Sequence, residues 1–107
     1  DIKKRMFVFE DIVTLDNRSI QRVIRDVENE DLILSLKAAS DEVKNIVFEN
    51  MSQRMAETLK EEMEFMGPVR LRDVEEAQTR IVATIRRLEE AGEIVVARGG
   101  GGDEIIV

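Results

Sequence analysis

The stretch from Ser52 to Gly67, SQRMAETLKEEMEFMG, concentrates ionisable side chains of both signs on one side of a predicted helix. At about 100° per residue, the charged side chains fill the arc opposite the apolar ones. These charged residues are Arg54, Glu57, Lys60, Glu61 and Glu64, with Glu62 at the edge of the arc. Charges of both signs at fixed spacing can recognise a partner of complementary charge, which is binding and not covalent chemistry. Considered alone, however, such a face favours a simpler interpretation, because amphipathic helices routinely carry a solvated charged side.

The other side of the same helix is predicted to pack on a core. Its apolar residues fall within an arc of roughly 100°, which is typical of a buried stripe. They are Met55, Ala56, Leu59, Met63 and Met66. Ser52 suits the N-cap and Gly67 the position after the last turn, and Pro68 prevents the helix from continuing.

Catalytic chemistry finds little support in the composition. The chain has no His and no Cys, so it lacks the commonest general base, the thiolate nucleophile and the softer metal ligands. Carboxylates are numerous, but they lie on predicted helix faces and not in a cleft that would raise a pKa. With no Trp, no Tyr and four Phe, aromatic lining for a small-molecule pocket is also scarce. We therefore expect no enzyme, no metal site and no cofactor.

Length and charge narrow the class of protein further. The chain has 107 residues, which is enough for one domain with a modest core. Hydrophobic residues make up 43% and charged residues 36%, a balance typical of a folded and soluble helical domain. The net charge of −7 argues against a nucleic-acid partner, because phosphate neutralisation needs clustered Lys and Arg. No apolar run approaches the roughly 18 residues of a membrane span, no signal peptide opens the chain, and the absence of an initial Met indicates a fragment.

The first half of the chain is predicted to form a connector followed by short helices. Residues 1–6 are typical of the last turns of an incoming helix, and the apolar run at 6–9, MFVF, reads as a connector pinned into a core. Glu10 to Leu15 can add one helical turn. The helices that follow are expected from Asp16 or Asn17 to about Val27, from Asp31 to Ala39, and from the N-cap Ser40 to about Asn50.

The second half adds one long helix and a tail of different character. Asp73 and Glu76 have the spacing of a capping pair, and an apolar stripe runs from Val74 to Leu88, before Gly92 ends the helix. Residues 98–107 contain four consecutive glycines and are expected to be flexible. The apolar residues on either side of the glycines leave two alternatives, a small hairpin or docking on the bundle. The predicted fold class is all-α: a small helical bundle with armadillo-like short helices, one long C-terminal helix and a Gly-rich tail.

Several stretches together resemble the C-terminal domain of FliG, the bacterial flagellar motor switch family. They are MFVF at 6–9, DNRSIQRV at 16–23, LKAASDEVK at 36–44, NMSQRMAETLKEEMEFMGPVRLRDVEEAQ at 50–78 and RRLEEAGEIVVARGG at 86–100. The resemblance covers essentially the whole chain. It implies that residues 1–9 comprise the end of an incoming helix plus the MFVF hinge, and that residues 10–107 are the torque-generating domain with its flexible tail at 98–107.

The resemblance also implies a function. In that family the domain belongs to the rotor, and a charged ridge meets the cytoplasmic loop of the stator protein MotA to generate torque and takes part in rotational switching for motility and chemotaxis. By position, the stator-binding residues would be Lys37, Arg54, Glu61, Glu62 and Arg70. The hinge residues would be Met6, Phe7, Val8 and Phe9.

Further partners and a location follow from the same resemblance. They are the switch protein FliM and neighbouring FliG subunits in a ring, at the cytoplasmic face of the bacterial inner membrane in the flagellar basal body. Contact with the membrane would be peripheral and only through other rotor parts. This chain departs from the family pattern at Glu61-Glu62, where Asp-Asp is frequent, and at Ala38, where Gly is common. A structural module for ring assembly, with a merely solvated charged face, is the alternative function.

Overall fold

The chain folds into one short 3-10 helix and five α-helices, in a computed structural model that describes residues 7–96. The 3-10 helix is Phe9–Thr14, and the α-helices are α1 Asn17–Asp26, α2 Asn29–Lys37, α3 Asp41–Glu49, α4 Gln53–Met66 and α5 Leu71–Glu90. No strand occurs within residues 7–96, and the predicted all-α class is confirmed. The expected incoming helix end at 1–6 and the glycine-rich tail at 98–107 lie outside the described residues.

Side-chain oxygens begin three of the α-helices at the predicted positions. The Asp16 carboxylate accepts a hydrogen bond from the Ser19 N–H at 3.0 Å, which starts α1. Ser40 does the same for α3 and Ser52 for α4, with each hydroxyl accepting from the N–H three residues later at 3.2 and 3.1 Å. Each oxygen satisfies one of the N–H groups that a helix leaves without an internal partner, so these starts follow from local chemistry.

Two predicted helix starts are wrong. Helix α2 begins at Asn29, not Asp31, and ends at Lys37, not Ala39. Helix α5 begins at Leu71, so Asp73 lies inside its first turn and does not cap it. In both helices the N-cap residue, Glu28 or Arg70, contributes its extended backbone and no side-chain hydrogen bond. A cap made by the main chain leaves no mark in the residue types, which explains both errors.

Helices α2 and α5 form the centre of the bundle. Helix α2 packs against α5 and α4, while α1 and the 3-10 helix also contact α5. Helix α2 buries Leu32, Ile33, Ser35 and Leu36, and so it is enclosed on most of its circumference. The predicted stripe of α5 is buried throughout and supplies Val74, Ala77, Ile81, Ile85 and Leu88. Since burial of apolar surface is the main favourable term in folding, this pair of helices contributes a large part of the stability of the bundle.

Polar contacts join the two central helices to each other and the outer elements to their neighbours. The Arg80 guanidinium of α5 binds the Asp31 carboxylate of α2 through three hydrogen bonds of 2.8 to 3.1 Å. The Glu10 carboxylate accepts from the hydroxyl of Ser40 at 2.8 Å and from its N–H at 3.3 Å, which holds the 3-10 helix to the start of α3. Arg22 pairs with Glu93 at 2.6 Å and so fastens the segment after α5 to α1. Among the described residues, no helix combines the length and the apolar character that crossing a membrane requires.

Candidate partner-binding face on helix α4

Helix α4 lies on the outside of the bundle and presents most of its charged residues to solvent. Its inner side buries Ala56 and Leu59, and Met55, Met63 and Met66 pack half-buried against the core. The predicted division of this helix into an apolar and a charged side is confirmed. Gly67 ends α4 with a φ of 67°, a backbone conformation that glycine adopts most readily.

Four of the predicted stator-binding residues form what is called here the charged face: Arg54, Glu61 and Glu62 of α4, and Arg70 just after it. All four side chains are exposed. On a regular helix, Arg54 and Glu61 project about 20° apart and lie about 10 Å apart along the axis, while Glu62 projects about 80° from Arg54. This spacing keeps Arg54 and Glu61 on the same side of the helix, but too far apart to neutralise each other.

The charged face makes no polar contacts with the side chains or backbone of the other described residues. Within residues 7–96, no hydrogen bond or ion pair engages the side chains of its four members. Other charged groups of α4 differ, because Lys60 lies 5.0 Å from the ring centroid of Phe48 and Glu57 accepts a 3.5 Å hydrogen bond from Gln53. The charged face is therefore free to meet charges outside the described part of the chain.

The fifth predicted residue, Lys37, has a different environment. Its side chain is half-buried, and its ammonium donates a 3.2 Å hydrogen bond to the backbone carbonyl of Met63. That carbonyl belongs to the last turn of α4, where helix carbonyls lack internal N–H partners. Lys37 is also the last residue of α2. One cation thus serves the carboxyl-terminal ends of two helices, both of which carry partial negative charge.

An exposed aromatic side chain extends the charged face, and sequence reasoning did not include it among the site residues. Phe65 is 92% exposed in the last turn of α4, and Leu71 at the start of α5 is 68% exposed. The signal was present in the helical projection, since Phe65 falls about 20° from Arg54. It was missed because Phe65 lies outside both the apolar stripe and the set of ionisable residues.

A shallow groove lies between α3 and α4, on a side of α4 that faces away from the charged face. It has a volume of about 580 Å³ and is lined by Phe48, Met51 and Ala56 together with charged residues that include Lys44 and Lys60. Among the residues that the structure describes, no three Asp, Glu, His or Cys side chains cluster as metal ligands would.

Two of the three predicted hinge residues that the structure describes are anchored in the core. Phe7 and Phe9 are buried, whereas Val8 between them is exposed and its N–H donates to the Asp11 carboxylate at 3.0 Å. Phe7 lies beside Ile85 of α5 and Val96. This alternation confirms the expected pinning of the segment, while Met6 lies outside the described residues. That the segment bends as a hinge stays a prediction.

The chain is similar to known proteins over most of its length. The family model of the FliG C-terminal domain matches residues 1–96. The flagellar motor switch protein FliG of Bacillus subtilis (strain 168) is 82% identical over all 107 residues, and that of Thermotoga maritima is 64% identical over the same 107. The chain spans about a third of the length of these relatives, 31% and 32% respectively.

Solved structures give the same result for the fold. A crystal structure of FliG residues 116–343 from H. pylori has a TM-score of 0.84 and 39% identity, covering 86% of this chain and 40% of that one. The structure of full-length FliG from Aquifex aeolicus has a TM-score of 0.79 and 37% identity, covering 81% of this chain and 27% of that one.

Proposed function

This chain belongs to the FliG C-terminal domain family, and from that premise we propose that it acts as a rotor component of the bacterial flagellar motor. In this proposal the charged face contacts the cytoplasmic loop of the stator protein MotA, and the repeated contact transmits torque. The relatives that support it are flagellar motor switch proteins by name. Their name implies the flagellar basal body, and we propose that the domain lies at the cytoplasmic face of the inner membrane.

The observation that carries the proposal is the free state of the charged face. Arg54, Glu61, Glu62 and Arg70 are exposed, carry both signs and pair with no other described residue. Exposed ion pairs contribute only about 0–1 kcal/mol each, and their main effect is on the rate and selectivity of encounter. A rotor contact must form and break many times, so weak and reversible pairs suit it better than a buried apolar interface.

Lys37 enters the proposal in a second way. Its ammonium donates to the backbone carbonyl of Met63, so it holds the last turn of the helix that carries the charged face. We propose that Lys37 supports the stator contact by fixing the direction of α4, in addition to any charge that it presents.

The buried phenylalanines suggest how orientation could change. We propose that the MFVF segment, Met6 to Phe9, is the hinge that joins the incoming helix to the torque-generating domain at 10–107. Phe7 and Phe9 would keep the segment attached to this domain while rotation about the preceding backbone reorients it during switching. FliM and neighbouring FliG subunits are the further partners of this proposal.

A paired charge reversal tests the stator contact. The Arg54→Glu, Glu62→Arg variant keeps the net charge, so impaired swimming would report the arrangement of charge and not its sum. Complementary reversal in the stator loop should restore swimming. The matched control is Arg86→Glu with Glu75→Arg, two exposed residues of α5 that lie outside its first and last turns and should tolerate exchange. Loop binding that does not change with salt, or normal swimming of the α4 variant, would favour the alternative of a structural assembly module.

A further inference from the structure

Phe65 is the most exposed of the large apolar side chains among the described residues. It is 92% exposed, compared with 83% for Val95, 68% for Leu71 and 49% for Val8. Leu71 follows Phe65 across the short Gly67–Arg70 connection, where Pro68 is exposed as well. Single exposed apolar residues are common on protein surfaces, so the position of Phe65 matters more than its exposure.

Phe65 continues a straight row that the charged face begins. In projection, Arg54, Glu61 and Phe65 fall within about 40° of one another. Along the axis, Glu61 lies about 10 Å and Phe65 about 16 Å beyond Arg54. The row points away from Leu59 and Met63, which face the core. A cation, an anion and an aromatic ring thus lie in fixed order along one outer edge of α4.

We propose that Phe65 is the apolar anchor of the stator contact and determines how the partner is placed along α4. This inference rests on the proposed function. The occupant is a segment of the stator loop that offers an acidic side chain to Arg54, a basic one to Glu61 and an aliphatic one to Phe65. Charge complementarity in this order fixes the direction of that segment, because reversing it would place a basic side chain at Arg54 and an acidic one at Glu61.

The charged residues and Phe65 are expected to contribute to different properties of the contact, the rate of encounter and the affinity. Exposed charges speed and select the encounter, but in salt they add little to affinity. An aromatic side chain covered by a partner adds affinity that salt does not screen, and aromatic residues are enriched among the residues that dominate binding energy. Phe65 stands at the end of the charged row, so it can hold the partner after the charges have aligned it. Leu71 can widen the apolar contact.

The test measures affinity and salt dependence separately. Full-length protein carrying Phe65→Ser, Phe65→Leu or the control Val95→Ser is titrated with the purified cytoplasmic loop of MotA from the same bacterium, from low to high salt. Phe65→Ser should weaken binding by about tenfold at every salt concentration and leave the salt slope unchanged. Phe65→Leu should bind within about threefold of the wild type, and Val95→Ser within about twofold. Both Phe65 variants should keep the wild-type melting temperature, since the side chain is exposed.

The outcomes separate the two proposals. If the wild type binds with salt dependence and Phe65→Ser binds equally well, the anchor is wrong and the charged contact stands. If Phe65→Leu is as weak as Phe65→Ser, apolar burial is not the interaction and the anchor is again wrong. If the wild type does not bind the loop at any salt concentration, the proposed function fails and the anchor fails with it.

Discussion

The ammonium of Lys37 and the backbone carbonyl of Met63 form a 3.2 Å hydrogen bond between α2 and the last turn of α4. Both helices end within three residues of this contact, at Lys37 and Met66. Because the last carbonyls of a helix lack N–H partners, a cation here is stabilising through the hydrogen bond and through the helix dipole. Lys37 therefore links the central helix of the bundle to the helix that carries the charged face.

Removal of this ammonium should loosen the end of α4. Lys37→Met keeps the aliphatic stem and deletes the donor, so we expect the free energy of unfolding to fall by about 0.5–1.5 kcal/mol. Amide hydrogen exchange at Glu64, Phe65 and Met66 should accelerate more than exchange in α5. Chemical denaturation and exchange measured by NMR check the two effects.

Another half-buried lysine provides the control for this prediction. Lys44 of α3 has no hydrogen bond to a helix end among the described residues, so Lys44→Met should leave exchange in the last turn of α4 unchanged. Equal protection of that turn in Lys37→Met and in the wild type would show that Lys37 does not hold α4.

Ser35, in the middle of α2, is a site where removal of a hydroxyl should stabilise the protein. It is fully buried, and its hydroxyl has no hydrogen-bond partner among the described residues. A buried polar group left unpaired costs about 1–3 kcal/mol, and Ala is also the better helix former. We therefore expect Ser35→Ala to raise the free energy of unfolding by about 1 kcal/mol, measured by urea denaturation.

The same substitution at Ser19 is expected to lower the free energy of unfolding. Ser19 is buried too, but it belongs to the cap of α1, where the pKa of Asp16 is lowered by hydrogen bonds from the side chain and the backbone of Ser19. Ser19→Ala should therefore be destabilising. Destabilisation by Ser35→Ala would mean that the Ser35 hydroxyl has a partner, such as an ordered water, and would contradict the prediction.

The parts of the fold that sequence predicted are those fixed by local chemistry. Serine and aspartate caps mark their positions through residue type, and the apolar stripe of α5 marks its buried side through spacing. The limits of α2 could not be read in this way, because a helix enclosed on most sides shows no clear periodicity and Glu28 caps it only with its backbone. The all-α class therefore followed from sequence patterns, whereas the exact bounds of α2 depend on how the helix packs in the folded protein.

The candidate site shows the same division. Exposure of Arg54, Glu61 and Glu62 followed from the helical projection alone. The hydrogen bond of Lys37 to Met63 joins residues 26 positions apart, and no local pattern reports such a contact. The position of Phe65, by contrast, followed from the same projection, which puts it about 20° from Arg54, but Phe65 belongs neither to the apolar stripe nor to the ionisable residues.

Gly67 sets the path between α4 and Arg70. Its φ of 67° and ψ of −158° lie in a region that residues with a side chain rarely adopt. An added Cβ would meet no atom within 4 Å, so the cost of Gly67→Ala is conformational and not steric crowding by neighbours. We expect a loss of about 1–3 kcal/mol in the free energy of unfolding, measured by thermal and urea denaturation.

A D-amino acid separates these two causes. D-Ala at position 67, introduced by peptide ligation, prefers a positive φ and should match or exceed the stability of the wild type. If D-Ala destabilises the protein as much as L-Ala does, then crowding at Gly67 is responsible and the backbone explanation is wrong.

The cap of α1 should make stability depend on pH in a defined direction. Hydrogen bonds from the side chain and the backbone of Ser19 lower the pKa of Asp16 below its ordinary value of 3.8. A carboxylate with a lowered pKa is stabilising above the pKa of the unfolded state, and this contribution is lost as pH falls through the folded value.

Asp16→Asn keeps a capping oxygen but cannot titrate. The difference in unfolding free energy between the wild type and Asp16→Asn, followed by urea denaturation from pH 7 downward, should hold steady to about pH 5 and then shift against the wild type. Asp16→Ser, a second cap that does not titrate, should show the same pH-dependent difference from the wild type. A difference that stays constant down to about pH 2 would show that the ionised form of Asp16 has no special role in starting α1.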